Sequence, residues 1–215
     1  MQLALTLTPN DLPGGQLYDF QTEAVDYIEL HKGRALVADQ PGLGKTVTSI
    51  GYLQRRPDLR PILIVTPASV KTQWARHISA WMAIPIDDIQ ILATRKASDI
   101  TSDFVLVNYD VLQAWAKEIF LWKPQIVIFD ECHRLKASDS QRSKIAKQIS
   151  ALPSVKSVIG LTGTPLLNRP REIYHPISCI NPHIFPNWYR FAMRFCDPQQ
   201  TEHVKRGSKR DEYGE

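Results

Sequence analysis

The stretch ADQPGLGKT, residues 38–46, decides how the rest of the chain is interpreted. Gly44, Lys45 and Thr46 fit the phosphate-binding pattern G-x-x-x-x-G-K-[ST], whereas Asp39 stands where that pattern has its first glycine. In such a loop, Lys45 would reach the β- and γ-phosphates of ATP and the Thr46 hydroxyl would bind Mg²⁺. A glycine turn that opens a helix without binding nucleotide is the alternative at this point.

Backbone N–H groups of the loop, with the start of the following helix, would surround the phosphates. Pro41 has no N–H group and cannot donate. Asp39 needs only a backbone conformation compatible with the turn. The expected donors are Gly42, Leu43, Gly44 and Lys45.

Short apolar segments alternate with amphipathic segments along the chain. Strands are predicted at 34–39, 61–67, 89–94, 103–109, 125–131 and 157–165, and helices at 19–30, 45–56, 69–82, 111–122, 140–152 and 187–195. Asp19 and Ser69 are predicted to cap the first and third helices. This order predicts an α/β fold, a mostly parallel β-sheet with helices on both faces, with ligands bound where the strands end.

The composition excludes few functions. A chain of 215 residues, 43% hydrophobic and 22% charged, suffices for one substantial domain, and a net charge of +4 permits an anionic partner without demonstrating one. The three cysteines form no C-x-x-C pair, which argues against a zinc site or a disulfide framework. No signal peptide or membrane-spanning run is recognised, so we expect a cytoplasmic protein, nuclear in a eukaryote, that is not secreted and has no membrane partner.

The segment FDECHRLK, residues 129–136, places two carboxylates at the end of an apolar strand. Unpaired charge there is costly unless it serves a cation or a proton transfer. Asp130 would hold the Mg²⁺ shell and Glu131 would orient and deprotonate the attacking water. His133 could link the nucleotide to the next strand. Cys132 is interpreted as a small side chain that fills space rather than as a nucleophile. The alternative for the whole segment is a strand end that opens a loop and has no catalytic role.

The segment LTGTP, residues 161–165, ends another predicted strand with Thr162, Gly163 and Thr164. Alone it is a weak signal, because T-G-T-P is also a good turn sequence. As the third such segment after GKT and DECH, it suggests that these residues couple the nucleotide site to the rest of the protein.

Taken together, these segments resemble the first RecA-like lobe of a superfamily-two helicase, specifically a Swi/Snf-like DNA translocase. The segment LYDFQTEAV (17–25) is similar to the adenine-recognition segment, with Gln21 at its glutamine, and the family commonly has aspartate at the position of Asp39. DECH stands where the family has a DEAH-type box. Residues 63–74 resemble motif Ia, residues 105–112 motif Ib, and residues 161–174 motif III with its extension, including Asn168 and Glu172. The resemblance favours a working nucleotide loop.

The resemblance also implies a DNA partner, duplex or branched, contacted without regard to sequence. Motifs Ia and Ib would lie along one strand, with Lys71, Thr72, Asn108 and Tyr109 as contacts. For Lys71 a capped surface helix is an equally weighted alternative. Trp74 and Trp81, seven residues apart on one predicted helix, are interpreted as core residues rather than base-stacking platforms.

We expect an N-terminal extension at 1–16, an ATP-binding lobe at 17–186, and the start of an insertion with a charged tail at 187–215. The family's second RecA-like lobe, which carries arginines that complete the ATP site, is absent from the sequence. Arg206 and Arg210 match no motif and are not assigned as the arginines that complete the ATP site. A lone first lobe should bind ATP and Mg²⁺ but hydrolyse ATP poorly until a second lobe joins it in cis or in trans.

Three functions remain open from the sequence. The chain is either the ATPase half of a DNA translocase, a stand-alone nucleotide- and DNA-binding module that regulates a partner, or a lobe of a DEAD/DEAH-type RNA helicase. Retention of both Lys45 and Glu131 favours the first, because a pure binding module does not require the general base.

Overall fold

A computed structural model describes residues 11–164, 170–185 and 187–196. The predicted alternation of strands and helices is confirmed. After a two-stranded hairpin, β1 (Asp11–Leu12) and β2 (Gly15–Gln16), the six sheet strands are β3 (Arg34–Val37), β4 (Ile62–Thr66), β5 (Ile89–Leu92), β6 (Phe104–Asn108), β7 (Ile126–Asp130) and β8 (Ser157–Leu161). The helices are α1 (Asp19–Leu30), α2 (Lys45–Arg55), α3 (Lys71–Met82), α4 (Ala116–Trp122), α5 (Gln141–Ser150), α6 (Tyr174–Ile180) and α7 (Trp188–Phe195).

The six strands form one parallel sheet in the order β3-β8-β7-β4-β6-β5. Strands β4, β6 and β8 are buried along their whole length, as continuous apolar runs should be when helices cover both faces of a sheet. Because the strands are parallel, their C-terminal ends meet at one edge, and this edge carries the phosphate loop, the DECH segment and Thr162 to Thr164.

Alternate side chains of each strand pack into one of two apolar layers. Helices α1, α2 and α3 cover one face, where Ile62, Ile64 and Ile128 point, whereas α4, α5 and α6 cover the other face, where Leu63 and Val127 point. The crossover helices therefore hold the sheet between them, and the strand ends stay free for ligands.

Several local predictions were wrong in detail. Asp19 is the first residue of α1, which Tyr18 precedes as N-cap, and Ser69 lies in a 3₁₀ turn (Ala68–Val70) ahead of α3. The predicted helix 111–122 begins only at Ala116, after a series of turns. Helix α6 was not predicted, since its seven residues include a proline and no clear period.

The predicted division at 17 and 186 stays a prediction. Leu12, from the predicted extension, is 4% exposed and belongs to the apolar core on the α1, α2 and α3 face of the sheet. Asn168, Arg206 and Arg210 lie outside the described residues. Among the helices that the structure describes, none is both long and apolar enough to cross a membrane.

Arg34, at the start of β3, ties the sheet edge to two helix ends. Its Nη1 donates to the carbonyl of Ile180, the last residue of α6, at 2.8 Å, and Nη2 lies 3.5 Å from the carbonyl of Ser150, the last residue of α5. Burial lowers the pKa of Arg34. A cation at helix C-termini is favourable because it meets carbonyls that have no partner within the helix.

We expect Arg34→Met to lower the free energy of unfolding by about 2 kcal/mol, because two helix ends lose a charged donor. Urea unfolding followed by circular dichroism measures this change. Arg56→Met is the control, since Arg56 forms surface ion pairs with Asp58 and Glu29. Equal losses in the two variants would contradict the role given to Arg34.

Candidate nucleotide site

The loop between β3 and α2 turns through two glycines in the left-handed region. Gly42 has φ 89° and Gly44 has φ 72°, and the helix begins at the next residue, Lys45. Residues other than glycine rarely adopt these backbone angles, so both positions depend on glycine. The first-turn N–H groups of α2, including those of Lys45 and Thr46, have no partner within the helix. The loop therefore has the backbone shape and the donors that a phosphate chain requires.

The amino group of Lys45 lies across this loop. Its Nζ donates to the carbonyl of Asp39 at 2.7 Å and to that of Gln40 at 3.0 Å. Asp39 thus contributes to the loop through its backbone carbonyl, and its predicted part in ATP binding stays a prediction. The Lys45 ammonium is placed at the mouth of the loop, ahead of the start of α2.

Gln21 connects helix α1 to the same loop. Its side-chain oxygen accepts from the N–H of Tyr18 at 3.1 Å, and its Nε2 donates to the carbonyl of Leu43 at 3.2 Å. A Cβ added at Gly44 would lie 2.6 Å from Gln21 Nε2. Gln21 is buried, and it joins helix α1 to the loop.

Asp130 ends β7 two strands away from the loop strand, and three side chains hold it. Thr66 Oγ1 and Trp74 Nε1 both donate to Asp130 Oδ2 at 2.8 Å, and Tyr109 Oη donates to the Asp130 carbonyl at 2.7 Å. These donors come from β4, α3 and the end of β6. The carboxylate is therefore oriented by elements that surround it on the side away from the loop.

Glu131 follows in a left-handed conformation, with φ 51° and ψ 52°. Such a conformation costs a residue other than glycine about 1 kcal/mol. Of the other such residues that the structure describes, Ala83 and Lys123 directly follow a helix and Lys32 comes two residues after one, where this conformation is ordinary, whereas Glu131 follows a strand. Backbone strain of this kind gathers at functional sites, and it supports a functional role for the Glu131 carboxylate.

His133 joins the DECH segment to the TGT segment. Its Nδ1 lies 3.1 Å from Glu131 Oε2 and 3.1 Å from Thr162 Oγ1, while Thr164 Oγ1 is 3.5 Å away. The Thr164 N–H donates to Thr162 Oγ1 at 3.1 Å. The structure thus brings together the residues that the sequence proposed as a link, and their coupling role stays a prediction.

Gly163 completes the junction by contacting the nucleotide loop. A Cβ at this position would lie 2.9 Å from Pro41 Cγ and 3.2 Å from Pro41 Cδ, in a ring that cannot turn away. The loop, the DECH segment and the TGT segment therefore form one contiguous group.

Cys132 lies next to this group, between Glu131 and His133. Its thiol is buried, it would lie 3.2 Å from a Cβ added at Gly160, and burial raises its pKa well above the ordinary range. A buried thiol of this kind is a poor nucleophile, as its interpretation as a filler requires.

Nearby, Lys136 Nζ pairs with Glu172 Oε2 at 3.2 Å, so the segment after DECH meets the motif III extension.

Three of the four predicted DNA contacts need correction. Lys71 and Tyr109 are only 8% and 2% exposed, and Asn108 is buried as well. Lys71 Nζ donates to Asn108 Oδ1 at 2.9 Å and to the Leu92 carbonyl at 3.1 Å, while Tyr109 contacts Asp130. These side chains are used inside the protein and do not reach a ligand. Thr72 is exposed in the first turn of α3 and stays a predicted contact.

A metal would have to be shared with the nucleotide at this site. Among the described residues, no three His, Cys, Asp or Glu side chains are grouped so that they could hold a metal ion. The hydroxyl of Thr46 and the carboxylate of Asp130 are hard oxygen donors, and Mg²⁺ is usually held by one or two such groups together with phosphates and water. The donor set therefore fits nucleotide-bound Mg²⁺.

Thr66 and Trp74 are the residues whose role at the site was missed. Trp74 is buried, as predicted, but its indole N–H is turned toward Asp130. The one sequence signal for this contact was the general tendency of a buried indole N–H to have a hydrogen-bond acceptor.

Comparisons with known proteins identify the family of this chain and the fold that it shares. The profile of the SNF2-related domain matches residues 20–212. The chain is 35% identical over 188 residues to the SWI/SNF-related matrix-associated actin-dependent regulator of chromatin subfamily A-like protein 1 of Xenopus tropicalis, covering 87% of this chain and 20% of that relative. It is 30% identical over 207 residues to the human DNA annealing helicase and endonuclease ZRANB3, covering 92% of this chain and 18% of that protein.

Among solved structures, the Sulfolobus solfataricus SWI2/SNF2 ATPase core in complex with dsDNA superposes with a TM-score of 0.75 at 22% identity, covering 92% of this chain and 42% of that one. This likeness shows a shared fold. The chain spans about a fifth of the length of the two curated relatives named above. From the profile match and the identities to curated relatives, the chain belongs to the SNF2-related domain family, as its Swi/Snf-like motifs predicted.

Proposed function

We propose that this chain is the first ATP-binding lobe of a DNA-dependent ATPase that couples ATP hydrolysis to translocation on DNA or to its remodelling. The observation that carries the proposal is the meeting of three segments at one sheet edge. The neighbouring strands β3, β8 and β7 end in the phosphate loop, the TGT turn and the DECH segment, which contact one another through Gly163 and His133. Membership of the SNF2-related domain family supports this function.

Each residue of the group has a distinct task in phosphoryl transfer. Lys45 and the amides at the start of α2 bind the phosphate oxygens, and Gln21 serves the adenine side. Glu131, whose side chain is 38% exposed, orients the attacking water and takes its proton. Mg²⁺, held through Thr46 and Asp130, would neutralise charge on the transferred phosphoryl group when bound. His133, Thr162, Gly163 and Thr164 relay the arrangement of the site to neighbouring strands.

The proposed partner is duplex or branched DNA, bound through its backbone. Thr72 and the amides at the start of α3 are suited to phosphate contacts, which position a protein without reading sequence. The names of two matched proteins mention DNA, as an annealed substrate for ZRANB3 and as bound dsDNA for the Sulfolobus core. We place the protein where cellular DNA lies, in the cytoplasm of a prokaryote or the nucleus of a eukaryote.

The complete ATPase that we propose includes a second RecA-like lobe. This chain covers only 42% of the Sulfolobus chain that it matches, which leaves room for a further lobe in such proteins. An arginine supplied across a cleft contributes factors of about 10³ to 10⁵ in phosphoryl transfer. We therefore expect the single lobe to bind ATP with Mg²⁺ and to turn it over slowly until a second lobe joins it, in cis or in trans.

ATP binding and turnover by the purified chain, measured with duplex DNA, with duplex RNA and without nucleic acid, test the proposal. Binding of ATP with Mg²⁺ and slow turnover that DNA stimulates more than RNA does is the expected result. Stronger stimulation by RNA would favour the RNA-helicase lobe instead. ATP binding with no turnover, even after a second lobe is added, would favour a regulatory module without hydrolysis.

A further inference from the structure

Two buried donors share one oxygen of the Asp130 carboxylate. Thr66 Oγ1 and Trp74 Nε1 both reach Oδ2 at 2.8 Å, and the two residues are 0% and 2% exposed. With Oδ2 engaged in this way, Oδ1 is the oxygen that can serve a cation. The orientation of the carboxylate, and so the direction of Oδ1, depends on where these two donors lie.

Trp74 belongs to the helix that begins at the proposed DNA contact. Helix α3 starts at Lys71, exposes Thr72 in its first turn and buries Trp74 two residues later. A displacement of α3 moves the exposed first turn and the indole together. Because an N–H···O hydrogen bond weakens once its length exceeds about 3.2 Å, a shift of about 0.5–1 Å is enough to loosen the bond to Asp130.

The end of β6, in the segment that resembles motif Ib, is tied to the same aspartate. Tyr109 Oη donates to the Asp130 carbonyl at 2.7 Å, and Lys71 Nζ joins the start of α3 to Asn108 at the end of β6 at 2.9 Å. Motifs Ia and Ib are thus bonded to each other, and each sends one aromatic side chain to Asp130. The carboxylate contact, however, comes from Trp74 alone of these two.

We propose that Trp74 is a positioning residue that couples DNA contact at the start of α3 to the orientation of the Asp130 carboxylate, and so sets how strongly DNA promotes Mg²⁺-dependent nucleotide binding. This inference rests on the proposed function. Trp81 offers a matched comparison, because it lies on the same helix and packs on Gly14 and Gly15, away from Asp130.

The first test compares Trp74→Phe with Trp81→Phe in the 215-residue chain. Phenylalanine keeps an aromatic ring and removes the N–H donor. We measure binding of a fluorescent ATP analogue as Mg²⁺ is titrated, with and without short duplex DNA. Trp74→Phe should raise the Mg²⁺ half-saturation about tenfold, the effect of one hydrogen bond to a charged group, and abolish the DNA effect. Analogue binding in EDTA should not change, and Trp81→Phe should match the unmutated chain.

The second test uses the unmutated chain, so it does not depend on whether a variant folds. The Trp74 indole ¹H–¹⁵N resonance, assigned through bonds, should shift when the Mg²⁺–analogue complex binds and shift again when duplex DNA is added. It also serves as the deciding measurement if Trp74→Phe does not fold. Because it reports the hydrogen bond itself, it is independent of turnover.

The outcomes separate this inference from the proposed function. If the unmutated chain binds the Mg²⁺–analogue complex and DNA, but Trp74→Phe matches Trp81→Phe or the indole resonance does not move, only the role of Trp74 is overturned. Analogue binding without DNA binding also overturns the coupling and leaves the nucleotide site intact. If the unmutated chain binds no ATP analogue, the proposed function fails and the inference fails with it.

Discussion

Lys45→Ala is expected to abolish measurable ATP binding, with the dissociation constant rising about 100-fold or more. The Lys45 ammonium lies against the carbonyls of Asp39 and Gln40 at the mouth of the loop, where it is the cation placed to meet two phosphate groups. A charge-assisted hydrogen bond contributes about 1.5–3 kcal/mol, and about 2.7 kcal/mol corresponds to the expected factor. Isothermal titration with ATP and Mg²⁺ measures the change.

Lys144→Ala is the matched control, since Lys144 is exposed on α5, on the opposite face of the sheet from α2. It should bind ATP as the unmutated chain does. Thermal unfolding of Lys45→Ala must also be followed, because the variant loses two hydrogen bonds within the loop. A folded Lys45→Ala variant that binds ATP with unchanged affinity would contradict the assignment of the loop as the phosphate site.

Glu131→Gln is expected to keep ATP affinity and lower turnover by about 10²–10⁴-fold, the usual contribution of a positioned general base. The amide has the shape of the carboxylate, and its oxygen can still accept from His133, which lies 3.1 Å from Glu131 Oε2. What it cannot do is take a proton from the attacking water. Single-turnover hydrolysis, measured in the chain joined by the proposed second lobe, separates this chemical step from binding.

Glu23→Gln provides the control, because Glu23 is an exposed carboxylate on α1. Its turnover should equal that of the unmutated protein. Equal loss of ATP binding in Glu131→Gln and Lys45→Ala would undo the role of Glu131, since it would mean that the carboxylate supports the loop and not the chemistry.

The sheet and its ligand edge could be predicted because local signals carry them. Apolar runs such as Ile62–Thr66 and Ile126–Asp130 mark strands, and a glycine loop directly after a strand marks the start of α2. The order β3-β8-β7-β4-β6-β5 was not predicted, because strand neighbours are chosen by packing between distant segments. Helix α6 also escaped prediction, since its short sequence carries no clear period.

The place of a candidate site residue could be predicted where a motif fixes it, and less well where its side chain could point into the protein or out of it, while the roles of these residues stay predictions. Lys45 and Asp130 follow from residue type and position. Lys71 and Tyr109 have polar ends that suit a phosphate contact, yet each has a long apolar stem or ring that packs inside, and their polar ends find Asn108 and Asp130. Such a choice depends on neighbours that sequence spacing does not reveal.

The strand order also divides the sheet into two sides, one of which comes from a single stretch of chain. Strands β4, β5 and β6, with α3 and α4, come from one uninterrupted stretch of chain, residues 62–122, and they form one side of the sheet. The strand border between this stretch and the nucleotide side runs between β4 and β7, where Thr66 and Trp74 reach across to Asp130. If this single contiguous segment is exchanged between relatives, by recombination or by design, we expect the proposed nucleic-acid contacts to change while the proposed nucleotide site is kept, provided that the incoming segment also carries donors to Asp130.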